Sequence, residues 1–250
     1  MRLIIDAISD KGSIPHANED MVLVGNDCLR DAAKSYAFDF DTYDYSFLIA
    51  LADGLGGHTK GAYASEAVLK KMQLSIAMLP PGLRANDLKK YLGNVVSLIN
   101  EYIRAESDKD SSQLGMASTF SGVLFYENHF FLLHIGDSRV YRYGKGKLTR
   151  LSRDHSPEEL KVNNGKLKNV LLNAFGTEKE IFFDFEDITQ KLHDDDIILL
   201  CTDGLTNQLP DDSIEKYIAL PDAHLLLAKE ANNQGGHDNI SMAVVRYVKY

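Results

Sequence analysis

The residues of this chain that could do chemistry are carboxylates at the edges of apolar runs: Asp53, Asp137 and Asp203 follow such a run beside a small residue, and Asp20 and Asp238 stand just before one. The segments are Asn18-Glu19-Asp20, Ala52-Asp53-Gly54, Gly136-Asp137-Ser138, Thr202-Asp203-Gly204 and Gly236-His237-Asp238-Asn239. Hard divalent cations want carboxylate and carbonyl oxygens, and Mg²⁺ or Mn²⁺ keeps several waters while taking few protein ligands. Aspartates at strand ends suit that need, and a neighbouring glycine lets the backbone approach an ion closely. A lone Asp-Gly pair is most simply a turn. The joint occurrence of such segments is what points to metal-assisted chemistry. Other routes lack their signatures: no Gly-x-Ser-x-Gly elbow surrounds Ser118 and Thr119, and no Gly-Lys-Ser/Thr follows Gly56-Gly57.

The elements that must position these carboxylates can be read from periodicity. Apolar runs at Leu3 to Ser9 and Phe47 to Ala52 predict buried strands, the second stopping at Asp53. Ala62 to Leu79 and Ala85 to Glu106 have helical spacing, are separated by Pro80-Pro81-Gly82, and are expected to pack as a hairpin. Ser118 to Tyr126, His129 to Ile135, Arg139 to Tyr143 and Lys147 to Leu151 read as strands of one antiparallel meander. Ile181 to Phe185 and Ile197 to Thr202 add strands, Ser213 to Ala219 and Ala223 to Asn233 helices, and Ile240 to Val248 a closing strand. Helices in pairs and strands in meanders suggest an antiparallel sheet sandwich covered by helices.

Composition narrows the class. The chain has 250 residues, with 27 basic against 36 acidic residues and a net charge of −9, which argues against a nucleic-acid surface built on a basic stripe. No apolar run approaches the ~18 residues of a membrane span, and Met1 to Asp6 leaves no room for a signal-peptide core. Two cysteines, Cys28 and Cys201, suggest a reduced, cytoplasmic protein without a disulfide framework. No linker or repeat marks a boundary, so 1–250 reads as a single domain.

In order and wording these segments resemble the PPM family of PP2C-like, metal-dependent protein serine/threonine phosphatases, and more closely its bacterial branch. The matching stretches are Asn18-Glu19-Asp20, Leu51 to His58, Gly61 to Glu66, Met116 to Thr119, His134 to Tyr141, Asp154-His155-Ser156, Leu200 to Leu205 and Gly235 to Ile240. The resemblance covers almost the whole chain. It implies an α+β fold, a four-layer α-β-β-α sandwich of two mainly antiparallel sheets flanked by helix pairs, with two Mg²⁺ or Mn²⁺ ions at one end. By motif, Asp53 bridges both ions, the Gly54 carbonyl and Asp20 serve one, and Asp203 with Asp238 hold the other. Glu19 acts directly or through a water, and Asp137 belongs to a third, weaker site. Two ions sharing a water lower its pKa toward ~7 and supply a nucleophile for in-line attack on phosphorus.

The chain also departs from the family pattern. Pro15 stands where members usually carry a phosphate-gripping arginine; His16 or Lys11 would be the substitute, though neither equals a guanidinium fork. His58 is a candidate acid for the leaving oxygen. Asp154-His155 looks like a catalytic pair, yet Ser156, Pro157 and Glu159 spell a helix capping box. The flap after Asp154 is shortened to Pro157 to Lys168. The expected activity is metal-dependent hydrolysis of phosphoserine and phosphothreonine on proteins, opposing a serine/threonine kinase. Phosphorylated proteins and that kinase are then the partners, with no nucleic acid, no membrane insertion and a monomeric state. Two rivals stand beside it: a silent relative that only binds phosphoproteins, and a two-metal enzyme acting on small phosphate esters or diesters.

Overall fold

The computed structural model of the chain describes residues 1–40, 46–57, 59–109, 115–157, 159–160 and 171–249. Two six-stranded sheets lie face to face, and all their strand pairings are antiparallel. The first sheet has the order β11 (Lys147–Arg150), β10 (Arg139–Gly144), β13 (Ile197–Cys201), β14 (Ile240–Val248), β1 (Arg2–Asp10), β4 (Ala32–Asp39). The second runs β12 (Asp184–Asp187), β9 (His129–Ile135), β8 (Phe120–Tyr126), β5 (Ser46–Ala52), β2 (Met21–Val24), β3 (Asp27–Leu29). A two-stranded piece pairs β6 (Gly54–Leu55) with β7 (Ala117–Ser118).

Alternation along each strand builds three apolar layers. Val22, Ile49, Leu51, Val123 and Leu132 meet Ile5, Ile198, Leu200 and Val245 between the sheets. On the same strands Leu23, Leu48, Ala50, Leu124 and Leu133 point the other way, onto α1 (Thr59–Ala77) and α2 (Ala85–Asp108). Leu199, Cys201, Met242 and Val244 pack against α3 (Asp203–Thr206), α4 (Asp211–Tyr217) and α5 (Ala223–Asn233). Strands buried on both faces read as continuous apolar runs, which is why Phe47 to Ala52 and Ile197 to Cys201 carry no alternation in the sequence. The four-layer α-β-β-α sandwich expected from the resemblance is the observed architecture.

Two expectations change. The run from Ser118 to Leu151 is not one meander: β8 and β9 pair in the second sheet and β10 and β11 in the first. The chain crosses between sheets at Gly136-Asp137-Ser138, a sheet switch that local turn signals cannot distinguish from a hairpin. The capping box also builds no helix over its described residues. Ser156 Oγ accepts from the Glu159 N–H at 3.5 Å, but Glu159 Oε2 accepts from the Asp154 N–H at 2.9 Å, closing a turn. The strands β2, β3 and β4 lie in a stretch where no element was predicted; β4 is an edge strand with mostly exposed side chains and little apolar signal.

Candidate metal centre and active site

All five acidic segments come to one end of the sandwich because strand register brings them there. Met21 pairs with Ala52, so the next residues, Asp20 and Asp53, leave the sheet side by side. Cys201 pairs with Met242 and the Thr202 N–H donates to Ser241 O at 2.9 Å, which carries Asp203 toward the Asp238 loop. Phe120 pairs with Ile135, setting Asp137 near Thr119. Thr119 in turn accepts from the Asp53 N–H at 3.0 Å through Oγ1 and donates its own N–H to Asp53 O at 2.9 Å.

The result is a cleft of about 630 Å³ lined by Glu19, Asp53, Gly54, Asp137, Asp203, Asp238 and Asn239, with Ile14, Pro15, His16 and Leu55 on its walls. Among the described residues no lysine or arginine lines it. Asp20 lies below the cleft: it is buried, and its Oδ2 accepts from Thr202 Oγ1 at 2.9 Å. Lys11 is not in the wall either. His58 lies outside the described residues, as does most of the flap. Pro15 and His16 do line the cleft, so the position of the absent arginine faces the carboxylates.

Burial and mutual repulsion set the electrostatics. Desolvation raises Asp53 well above the ordinary carboxylate range, and the charges of Asp20, Asp203, Asp238 and Asp137 add to it. Asp20 is raised well above that range by burial, against hydrogen bonds from Thr202 and Ser241. Burial and the Asp238 charge raise Asp203, while Asp53 and Asn207 partly offset the rise. Asp137 is pushed up to about 7 by burial and then by Asp203 and Asp154. Among the described residues none of these acids is in a salt bridge. Like charges held together in low dielectric need either protons or cations.

Several observations test whether divalent ions fit. Asp203 Oδ1 is buried without a hydrogen-bond partner, although Oδ2 accepts from Asn207 Nδ2 at 2.9 Å. A Cβ at Gly61 would overlap Glu19 Oε2 and stand 2.6 Å from Gly54 O, so Gly61 leaves the room in which that carboxylate and that carbonyl converge. Every donor is oxygen, the preference of Mg²⁺ and Mn²⁺. Among the described residues no three acidic, histidine or cysteine side chains draw tight enough to cage an ion alone. That arrangement fits ions that keep much of their water. The donor set is therefore compatible with Mg²⁺ or Mn²⁺.

Supporting residues that no sequence argument assigned also emerge. Asn239 accepts from the Glu19 N–H at 2.8 Å and donates to Lys11 O at 2.7 Å and Ala17 O at 3.0 Å, stapling the first loop to the Asp238 loop. Arg30 donates to Asp20 O at 2.9 Å, Ala62 O at 2.7 Å and Ser65 Oγ at 3.0 Å, and Ser65 donates to Glu19 O.

Two helix-covered antiparallel sheets thus carry, at one end, a cleft whose candidate metal donors are all oxygens. A family profile described as protein phosphatase 2C matches residues 24–234, and the chain belongs to that family. It is 27% identical to serine/threonine phosphatase stp of Listeria monocytogenes serotype 4b (strain F2365), over 95% of this chain and 93% of that protein. Protein phosphatase PhpP of Streptococcus pneumoniae is 30% identical over 79% of this chain and 85% of its own length. The structure of the S. agalactiae serine/threonine phosphatase superposes with a TM-score of 0.82 at 25% identity, covering 99% of this chain and all of that one. The catalytic domain of Mycobacterium tuberculosis PstP in complex with two manganese ions superposes at 0.76 with 28% identity, each chain covered in full.

Proposed function

We propose that this protein phosphatase hydrolyses phosphoserine and phosphothreonine on proteins with divalent metal bound in the carboxylate cleft, and that it opposes a serine/threonine kinase. The observation that carries the reading is the convergence of Glu19, Asp53, Asp137, Asp203 and Asp238 on one cleft that, among the described residues, no lysine or arginine lines. In this reading Asp53 would hold both of two ions. The Gly54 carbonyl and Glu19, directly or through a water, would join it at one with Asp20 supporting, Asp203 with Asp238 would hold the other, and Asp137 would serve a third site. Bound Mg²⁺ or Mn²⁺ supplies Lewis acidity, an activated water and positive charge against the phosphoryl oxygens.

The chain's own residues do the rest. Asn239 and Arg30 fix the backbone that carries Glu19 and Asp20, and Thr119 fixes Asp53, so the oxygens need little reorganisation when charge develops. His16 reaches the phosphate from the wall, where an imidazole offers at most two donors against the five of a guanidinium. His58 is retained as the candidate acid for the leaving oxygen. Without an arginine in the wall, phosphate attraction comes chiefly from the metal-loaded floor, and substrate binding is weak. We read residues 1–250 as one phosphatase domain acting as a monomer. Unpaired Cys28 and Cys201 suit a reducing, cytoplasmic setting; among the described residues no helix is long and apolar enough to cross a membrane.

The test is phosphate release from phosphothreonine and phosphotyrosine peptides with Mn²⁺, with EDTA, and with Asp53→Asn. The reading expects release from phosphothreonine with Mn²⁺ only. Equal rates in all three conditions would remove the metal mechanism, and silence with every peptide despite metal binding would favour a silent relative.

A further inference from the structure

Asp137 sits on the three-residue link by which the chain leaves β9 in one sheet and enters β10 in the other. Such a link has no strand ladder to fix it. Gly136 has φ +117°, and a Cβ there would come within 2.7 Å of the Thr119 side chain, so the backbone is pressed against the residue that also holds Asp53. The opposite side of the link is gripped by His155, which is fully buried and does not line the cleft.

His155 holds Gly136 twice. Its backbone N–H donates to Gly136 O at 2.7 Å, and the Gly136 N–H donates to its Nδ1 at 3.1 Å. Asn173 Nδ2 donates to the same Nδ1 at 2.7 Å. Two donors on one ring nitrogen require a lone pair there, so the ring proton is on Nε2, which faces Asp184 Oδ2 at 3.3 Å. Arg153 fixes Asp184 with two bonds of 2.8 and 2.9 Å, and His155 O accepts from the Leu172 N–H at 2.9 Å. Four separate stretches of chain thus meet at one imidazole whose tautomer is dictated by its partners.

We propose that His155 is a positioning residue for Asp137, its Nδ1 lone pair fixing the Gly136 N–H and through it the place of the Asp137 carboxylate at the cleft. Asn173 and Asp184 lock the ring in the tautomer that can do this, as outer partners orient metal-binding side chains elsewhere. The inference rests on the reading of Asp137 as a contributor to the phosphatase site.

A double-mutant cycle of His155→Leu and Asp137→Asn, with His155→Asn beside it, tests the proposal. Activity is followed on a phosphothreonine peptide with Mn²⁺, and the Gly136 amide by hydrogen exchange in metal-free protein. His155→Leu is expected to lower kcat about tenfold, the lower end of what losing an orienting partner costs, and to speed Gly136 exchange. It should cost little more in the Asp137→Asn background. His155→Asn places an oxygen near the Nδ1 position, so it should recover much of the rate and the protection. Losses that multiply in the double variant, unchanged Gly136 exchange in His155→Leu, or a rate loss in His155→Leu while Asp137→Asn is fully active would each overturn it. A wild-type chain inactive on every phosphopeptide would instead remove the phosphatase reading, and the exchange result would then judge the clamp alone.

Discussion

Two groups of aspartates in this molecule are treated in opposite ways. Away from the cleft, acids are matched with arginines: Asp196 takes Arg142 at 2.6 Å, Asp154 takes Arg139 at 2.7 Å, and Asp184 takes Arg153 at 2.8 Å. Burial alone would push Asp184 up, yet bonds from Arg153 and His155 outweigh it and hold the carboxyl below the ordinary range. At the cleft, Asp20 is buried and Asp53 and Asp203 partly so, and desolvation first, then neighbours of the same sign, push all three up. A chain that pairs aspartates with guanidinium in one region and, among the described residues, gives those of the other no salt bridge suits the second region to a cation from solution.

Exchanging one acid from each group is the most direct way to break that contrast. Asp53→Asn should abolish metal-dependent phosphate release, by more than the roughly 100-fold that losing a mere supporting partner can cost, while leaving the fold intact by circular dichroism. Asp196→Asn should keep the activity but destabilise by about 3 kcal/mol in urea unfolding, because Arg142 is left without its counter-charge. Saturating Mn²⁺ should stabilise the wild type and the Asp196→Asn protein by about 2.7 kcal/mol at a hundred times the Kd. Asp53→Asn should lose most of that shift; equal shifts in all three proteins would place the cation elsewhere.

Acidity sharpens the contrast. A carboxyl whose folded pKa is raised binds more protons folded than unfolded, so its contribution is full below about pH 4 and is lost as pH rises through the folded value, about 7 for Asp137. The melting temperature of EDTA-treated protein should therefore fall between pH 5 and pH 8, and Mn²⁺ should reduce or reverse that fall. Asp184, with its lowered pKa, runs the other way, and its contribution is lost only as pH drops below the ordinary carboxylate range. The smallest expected effect is at the wall: Pro15→Arg should lower KM for a phosphopeptide by about tenfold through a charge-assisted phosphate contact, with kcat little changed.

Much of this was legible in the chain itself. Long helices and doubly buried strands announce themselves by apolar periodicity, so α2, α5 and β14 begin where the sequence puts them. Asp53, Asp137, Asp203 and Asp238 are marked by their turn partners, and all four line the cleft. The sheet switch at Gly136 was not legible, because a chain crossing between sheets and one folding back in a hairpin use the same turn residues. The roles of Thr119, Asn239, Arg30 and Gly61 were hidden as well, since each acts on residues distant in sequence, up to 228 positions for Asn239.

By itself, the sequence determined which oxygens are available, which stretches are apolar and which guanidinium is absent, since these depend on residue type and local spacing. Only the tertiary structure decided that Asp20 stands beneath the cleft and not in its wall, and that a neutral His155 joins four stretches of chain. Register, burial and the partners of a polar atom are set by long-range packing, and desolvation, which gives the acids their shifted pKa values, exists only once that packing has excluded water.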